Sequence, residues 1–153
     1  MNGALASANT SGLGIAWVAL CLALTAHIVD EAVTGFLSVY NPTVLELRKR
    51  FPWLPFPVFR FGVWLTGLIL ANSVLFALSP FAFRNAAWLR PLAYFFAVVM
   101  FGNGVLHTVG TIRGRSVASL PFKRPMPGFL SSPLLLAASL YLLFELHASG
   151  RPQ

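Results

Sequence analysis

The chain has 153 residues, of which 57% are hydrophobic and only 10% are charged, and its mean hydropathy is +0.74. Soluble domains carry about 25% charged residues, and disordered chains are poor in aromatic residues, so both classes are excluded. The net charge of +7 comes from short basic groups between apolar stretches, which is typical of loops beside membrane spans and not of a nucleic-acid-binding face. The sequence therefore predicts a small multi-pass membrane protein that binds no nucleic acid.

Four apolar stretches are each long enough to cross a bilayer as a helix. They occupy residues 13–37, 61–79, 91–112 and 128–147. About 20 residues span the hydrocarbon core at a rise of about 1.5 Å per residue. Because the stretches are continuously apolar and do not alternate, helices are predicted and barrel strands are not. We expect an all-α bundle of four transmembrane helices that forms a single membrane domain.

The first stretch is predicted to be a retained helix. No Lys or Arg precedes Arg48, so the basic region of a secretory signal peptide is missing. Cys21 stands alone inside this stretch. It therefore provides neither a disulfide framework nor a thiolate metal cluster, and we expect it to act as a small hydrophobic residue.

Basic residues in the loops predict how the bundle is oriented. Eight of the eleven basic residues lie in two loops, and these are Arg48, Lys49, Arg50, Arg60, Arg113, Arg115, Lys123 and Arg124. The other three are Arg84, Arg90 and Arg151. Since cytoplasmic loops are enriched in Lys and Arg, we expect the two basic loops inside and both termini outside.

The basic, proline-rich connection over 40–60 is expected to lie at the membrane interface. Pro52, Pro55 and Pro57 prevent a regular helix in its second half. Trp53 and the neighbouring phenylalanines are expected to enter the headgroup layer. An interfacial anchor is the preferred interpretation of this segment over a substrate lid.

Three of the four acidic residues lie in predicted spans. Asp30 and Glu31 are adjacent in the first span, Glu145 stands near the end of the fourth beside His147, and only Glu46 is in a loop. A carboxylate in mid-membrane costs about 2.5–3.5 kcal/mol. No Lys or Arg within the spans offsets Asp30 and Glu31, so a proton, water, a histidine or a cation must do so. Glu145 and His147 are expected to be solvated at the outer interface.

Two polar faces are predicted to meet in the cytoplasmic half of the bundle. In a helix His27, Asp30 and Glu31 share one face, and Asn103 and His107 share another. The first and third spans both run from outside to inside. His27 then matches Asn103 in depth, and Glu31 matches His107, to within about 2 Å.

These nitrogen and oxygen donors indicate a site for zinc, iron or manganese. Bundles build such sites from Glu and His side chains one turn apart on facing helices. We predict His27, Glu31 and His107 as ligands, Asp30 as a ligand or a supporting group, and Asn103 as a ligand or a substrate anchor.

Two alternatives stay open at this point. The first span could begin near Leu5 and end near His27, in which case Asp30 and Glu31 would be solvated at the cytoplasmic interface. The polar pair of the third span could instead form ordinary hydrogen bonds between helices.

The segment His27-Ile28-Val29-Asp30-Glu31 resembles the signature of the HXXEE family of small bacterial membrane proteins, whose function is recorded as unknown. The later Asn103-x-x-x-His107, Pro127-Gly128 and Ser131-Ser132 resemble the family's downstream pattern, so the resemblance covers about residues 15–147. The chain departs from the signature at Asp30, which keeps the charge but is one methylene shorter than Glu. The resemblance implies a shared site in a multi-pass protein of the bacterial inner membrane, and it implies no reaction.

The leading hypothesis is a membrane-embedded metalloenzyme that acts on a lipid-soluble small molecule, with Asp30, Glu31 and Asn103 as candidate catalytic residues. A metal could activate water or polarise a substrate oxygen, or support oxidation if it is iron. The His-Glu-x-x-His pattern of common zinc proteases is absent.

Three other functions compete with it. One is a metal-free acid–base isomerase or cyclase of sterol-like or terpenoid-like substrates, since the His, Glu and Asn set loosely resembles the sites of emopamil-binding-type sterol isomerases. A b-type haem between the two buried histidines and a proton relay are the others. Membrane lipids are expected partners, and a homo-oligomer is an open alternative because four spans enclose little space.

Overall fold

The computed structural model describes residues 2–148, with side chains from Gly12 onwards. This part of the chain is helical apart from loops and one isolated bridge between Arg115 and Pro121. In chain order the helices are α1 (Asn2–Thr34), α2 (Leu37–Arg50), α3 (Phe61–Ala77), α4 (Ser79–Phe83), α5 (Leu89–Arg113) and α6 (Ser132–Ala148). The predicted all-α fold is confirmed.

Three helical stretches are long and apolar enough to cross a membrane. They are Gly12–Thr34, Phe61–Phe83 (α3 with α4) and Leu89–Arg113. The fourth predicted span corresponds to α6, which is apolar but has only 17 residues. The membrane character expected from composition therefore has a structural counterpart in three helical stretches of the described chain.

Helix α1 lies at the centre of the bundle. It packs against α6, α4 and α3, and α5 packs mainly against α6. Trp17 of α1 is fully buried, and its indole N–H donates to the carbonyl of Leu75 at 2.9 Å. Gly14 lets α4 approach closely, because a Cβ at that position would collide with the ring of Phe83. Close approach through small residues is how helices pack when lipid removes the hydrophobic driving force.

Two predicted boundaries differ from the structure because glycines turn the chain. The first span does not continue to residue 37, since α1 ends at Thr34 and Gly35 takes a φ of +77°. The fourth helix begins at Ser132 and not at 128, since Gly128 takes a φ of +83°. Only glycine adopts such left-handed angles without strain.

The connection over 40–60 is helical in its first half. Helix α2 continues to Arg50, and irregular chain with the three prolines follows over 51–60. Asn41 joins the two halves, because its amide donates to the carbonyl of Phe59 at 2.9 Å and accepts from the Phe59 N–H at 3.0 Å. The segment predicted to lie at the interface is thus helix α2 followed by a proline-rich, irregular stretch.

Candidate metal centre

The centre lies between α1, α5 and the turn that precedes α6. His27 and Glu31 stand one turn apart on α1, and His107 stands on α5. Their exposed fractions are 0% for His27, 5% for Glu31 and 1% for His107. Buried polar groups need hydrogen-bond partners, and in this apolar bundle the three side chains find them in one another and in the polar groups around them.

The predicted pairing in depth is confirmed. Asn103 Nδ2 lies 3.1 Å from His27 Nε2, and His107 Nε2 lies 3.1 Å from Glu31 Oε1. Both pairs keep the same offset along the chain, as expected where α1 and α5 run in the same direction. These two contacts bring the polar face of the first span against that of the third.

Both histidines direct Nε2 at the same carboxylate oxygen. Glu31 Oε1 is 3.5 Å from His27 Nε2 and 3.1 Å from His107 Nε2. Ligands about 2.0–2.1 Å from a tetrahedral zinc ion are about 3.3 Å apart, so both distances match the edges of such a site. The three ligand atoms lie within 4.8 Å of one another, so the remaining pair, the two Nε2 atoms, would have to move closer together to share one tetrahedral ion.

The second ring nitrogen of His107, Nδ1, has a hydrogen-bond partner of its own. Its Nδ1 is hydrogen-bonded to the carbonyl oxygen of Pro127. A carbonyl only accepts, so Nδ1 carries the proton and the Nε2 of a neutral ring presents a lone pair to Glu31.

The same argument fixes the tautomer of His27. Its Nδ1 lies 2.8 Å from Ser131 Oγ, which also lies 2.9 Å from Asp30 Oδ2 and 3.1 Å from the carbonyl of Gly128. The Asn103 amide donates to His27 Nε2 at 3.1 Å, so the Nε2 of the neutral ring carries no proton and His27 Nδ1 donates to Ser131. The Ser131 hydroxyl proton is then free to go to Asp30 or to the carbonyl of Gly128.

Asp30 lies outside the cluster of three. Its Oδ2 accepts from the backbone N–H of Ser131 at 2.8 Å and from the Ser131 hydroxyl. Asp30 therefore contacts the cluster through Ser131, which is hydrogen-bonded to His27. Asp30 is 9% exposed and Glu31 5%, so the alternative in which both carboxylates are solvated is wrong.

The turn over 127–131 supplies groups that sequence reasoning did not place at the site. Gly128 packs so closely onto the site that a Cβ on this residue would lie 2.8 Å from His107 Cε1 and 2.9 Å from Glu31 Cγ. The Gly128 N–H donates to Thr34 Oγ1 at 3.2 Å, which ties the turn to the end of α1. In the sequence, only the motif resemblance at Pro127-Gly128 and Ser131 pointed to these residues, and it assigned them no role.

Glu145 and His147 are not brought to the centre. The Glu145 carboxylate lies against Gly12, which precedes His27 by fifteen residues of α1, or about 22 Å of helix. Their predicted exclusion from the site is confirmed.

A cavity of about 320 Å³ opens beside the centre. Asn103 and His107 line one part of it, and most of its remaining wall is apolar. A pocket of this size is in the range of small-molecule sites.

Comparison with protein-family models, curated proteins and solved structures finds no match for the chain. Membership of the HXXEE family therefore stays a prediction from the motif.

Proposed function

We propose that this protein is a membrane-embedded metalloenzyme that acts on a lipid-soluble small molecule. One observation carries the proposal. The Nδ1 atoms of His27 and His107 both donate to oxygen acceptors. The Nε2 of His107 therefore faces Glu31 Oε1 at 3.1 Å, and the Nε2 of His27, which accepts from Asn103, lies 3.5 Å from the same oxygen. Two buried acceptors, His107 Nε2 of the neutral ring and Glu31 Oε1, thus face each other at 3.1 Å and need a cation or a proton between them.

The donor set favours a catalytic ion over a purely structural one. Two imidazoles and one carboxylate bind catalytic zinc and non-haem iron, and three protein ligands leave coordination positions open. Zinc, iron and manganese all accept these donors. When bound, the ion supplies Lewis-acid chemistry or, if it is iron, redox chemistry.

The protein's own residues would divide the remaining work. His27, Glu31 and His107 hold the ion. Ser131, itself held by Asp30, fixes the ring and tautomer of His27, as outer partners of metal-binding histidines usually do. Asn103 gives up its bond to His27 when a cation takes that lone pair, and its amide then faces the cavity as a polar anchor for substrate.

The proposed membrane arrangement has four spans and both termini outside. Helix α6 has 17 residues, or about 25 Å at 1.5 Å per residue, so the turn before it would complete a core of about 30 Å. The centre then lies in the cytoplasmic half of the bundle. The motif resemblance supports the bacterial inner membrane as the location.

The same geometry supports one alternative, a metal-free acid–base isomerase or cyclase. His107 Nε2 and Glu31 Oε1 are 3.1 Å apart, a distance that a shared proton also satisfies. The haem hypothesis gains no such support, because the two imidazole centroids are only 4.8 Å apart and edge-to-face, which leaves no room for a porphyrin.

The first test is elemental analysis of protein purified without exposure to a chelator. We expect about one equivalent of a transition metal, lost in His27→Ala and in His107→Ala and kept in the matched control His147→Ala. A metal-free wild-type protein would overturn the proposal, as would metal retained without His27. A protonated-carboxyl infrared band near neutral pH, lost in Glu31→Gln, would then support the acid–base alternative.

A further inference from the structure

The cavity beside the metal centre is a trough between α2 and α5. Helix α2 is absent from the closely packed helix pairs of the described chain. Yet it turns an apolar face, with Val39, Val44 and Leu47, towards the cavity. Of the lining residues, Tyr40, Val44 and Leu47 follow one another at four- and three-residue spacing, which normally marks a helix face that is covered. Here the cavity, and not a helix, lies against it.

The α5 wall gives the trough its length and direction. Asn103, His107, Gly110 and Arg113 all line the cavity and recur at the spacing of one helix face. From Asn103 to Arg113 the trough follows ten residues, or about 15 Å of helix. It therefore leads from the metal centre to the end of α5.

The two ends of the trough differ in charge. Asn103 and His107 form the inner end, whereas Arg113 and Arg115 line the outer end and are exposed. None of the described residues that line the cavity is acidic. Nearby Glu46 is held by Lys49 at 3.3 Å and by Arg50 at 3.4 Å. The outer end is therefore suited to an anion, since Arg recognises carboxylate and phosphate oxygens alike.

We propose that the trough binds a single-chain anionic amphiphile. Its carboxylate or phosphate head lies on Arg113 and Arg115, its apolar chain follows α2 and α5, and the far end of the chain reaches His107 and Asn103. The binding of this molecule is independent of the proposed metalloenzyme function. The further statement that it is the substrate rests on that function. Reaction would then occur at the end of the chain remote from the head.

The test measures binding of radiolabelled dodecyl phosphate and dodecanoate to the full chain in phosphatidylcholine nanodiscs, with empty nanodiscs as background and uncharged dodecanol for comparison. We expect saturable binding of an anionic probe, weakened about tenfold or more in the double variant Arg113→Gln/Arg115→Gln. The double variant Lys49→Gln/Arg60→Gln removes the same charge from exposed residues outside the trough and should bind normally. Leu47→Trp should block binding by filling the trough without a change in charge.

Each outcome bears on the proposal. Preference for dodecyl phosphate or for dodecanoate identifies the head and supports it in either case. No saturable binding by wild-type protein, equal binding of dodecanol, or full binding by Arg113→Gln/Arg115→Gln overturns it. Metal content separates the two proposals, because the arginine variants should keep the metal, and His27→Ala should lose the metal and still bind the amphiphile.

Discussion

Gly128 allows the turn before α6 to lie directly against the cluster of His27, Glu31 and His107. Its φ of +83° and its contact with His107 and Glu31 both require the absence of a side chain. Gly128→Ala should lower stability by about 1–2 kcal/mol through backbone strain and also displace the two ligands, so that metal is lost.

Gly35→Ala is the matched control for this change. Gly35 has a similar φ of +77°, but the nearest atom to a Cβ there is Ser38 Oγ at 4.0 Å. The Gly35→Ala variant should have a lower midpoint of thermal unfolding, because of the backbone strain, and should keep its metal. Equal metal content in the two variants would show that the turn does not position the ligands.

Ser131 links Asp30 to His27 through one hydroxyl group. Ser131→Ala removes the acceptor for His27 Nδ1 and one of the donors to Asp30. We expect metal affinity to fall about 10–100-fold, the usual effect of losing an outer partner of a metal-binding histidine. Metal titration monitored by competition with a chromophoric chelator measures it.

Ser139→Ala provides the control for Ser131→Ala. Ser139 is also buried, but its hydroxyl donates within α6 to the carbonyl of Leu135 at 2.7 Å. Its removal should leave metal affinity unchanged. If both variants bind metal as the wild type does, the Asp30–Ser131 pair has no part in the site.

Among the helices, α5 and α6 depend on one small residue for their close packing. A Cβ on Gly104 would lie 2.8 Å from Leu136 Cγ and 3.3 Å from the carbonyl oxygen of Ser132. Gly104→Val should therefore destabilise the bundle by about 1–3 kcal/mol, the usual cost of overpacking. Gly102, on the same helix, has nothing within 4 Å of a Cβ.

Unfolding midpoints in detergent test this difference between the two glycines. Gly104→Val should unfold at a lower temperature than the wild type, whereas Gly102→Val should not. An equal fall in the unfolding midpoint of both variants would mean that the helix backbone, and not the α5–α6 contact, is sensitive to the substitution.

At the scale of the whole molecule, the proposed topology places the two basic loops on one side of the membrane. Single cysteines in a Cys21→Ser background test it with a membrane-impermeant maleimide. Ala87→Cys, which is exposed between α4 and α5, should react in intact cells. Val117→Cys, exposed between α5 and α6, should react only after the membrane is opened. The reverse labelling would invert the topology.

Much of the fold follows from local rules that a sequence makes visible. Long continuous apolar stretches can satisfy their backbone groups in lipid only as helices, so the all-α architecture needs no tertiary information. The proline-rich half of 40–60 was likewise predicted to be irregular, since Pro52, Pro55 and Pro57 remove donors and clash with a helical backbone. Helix α2 was missed, because its mixed apolar and basic residues did not distinguish an interfacial loop from an amphipathic helix.

The pairs at the centre were also determined by sequence. Helical spacing places His27 with Glu31, and Asn103 with His107, on single faces, and the shared direction of the two helices matches them in depth. What only the tertiary structure decided is the partner of Asp30 and the placement of Gly128 and Ser131 beside the cluster. Asp30 and Glu31 are neighbours in the chain, and the turn before α6 alone separates them, because it supplies the N–H and hydroxyl of Ser131 to one carboxylate and leaves the other facing the histidines.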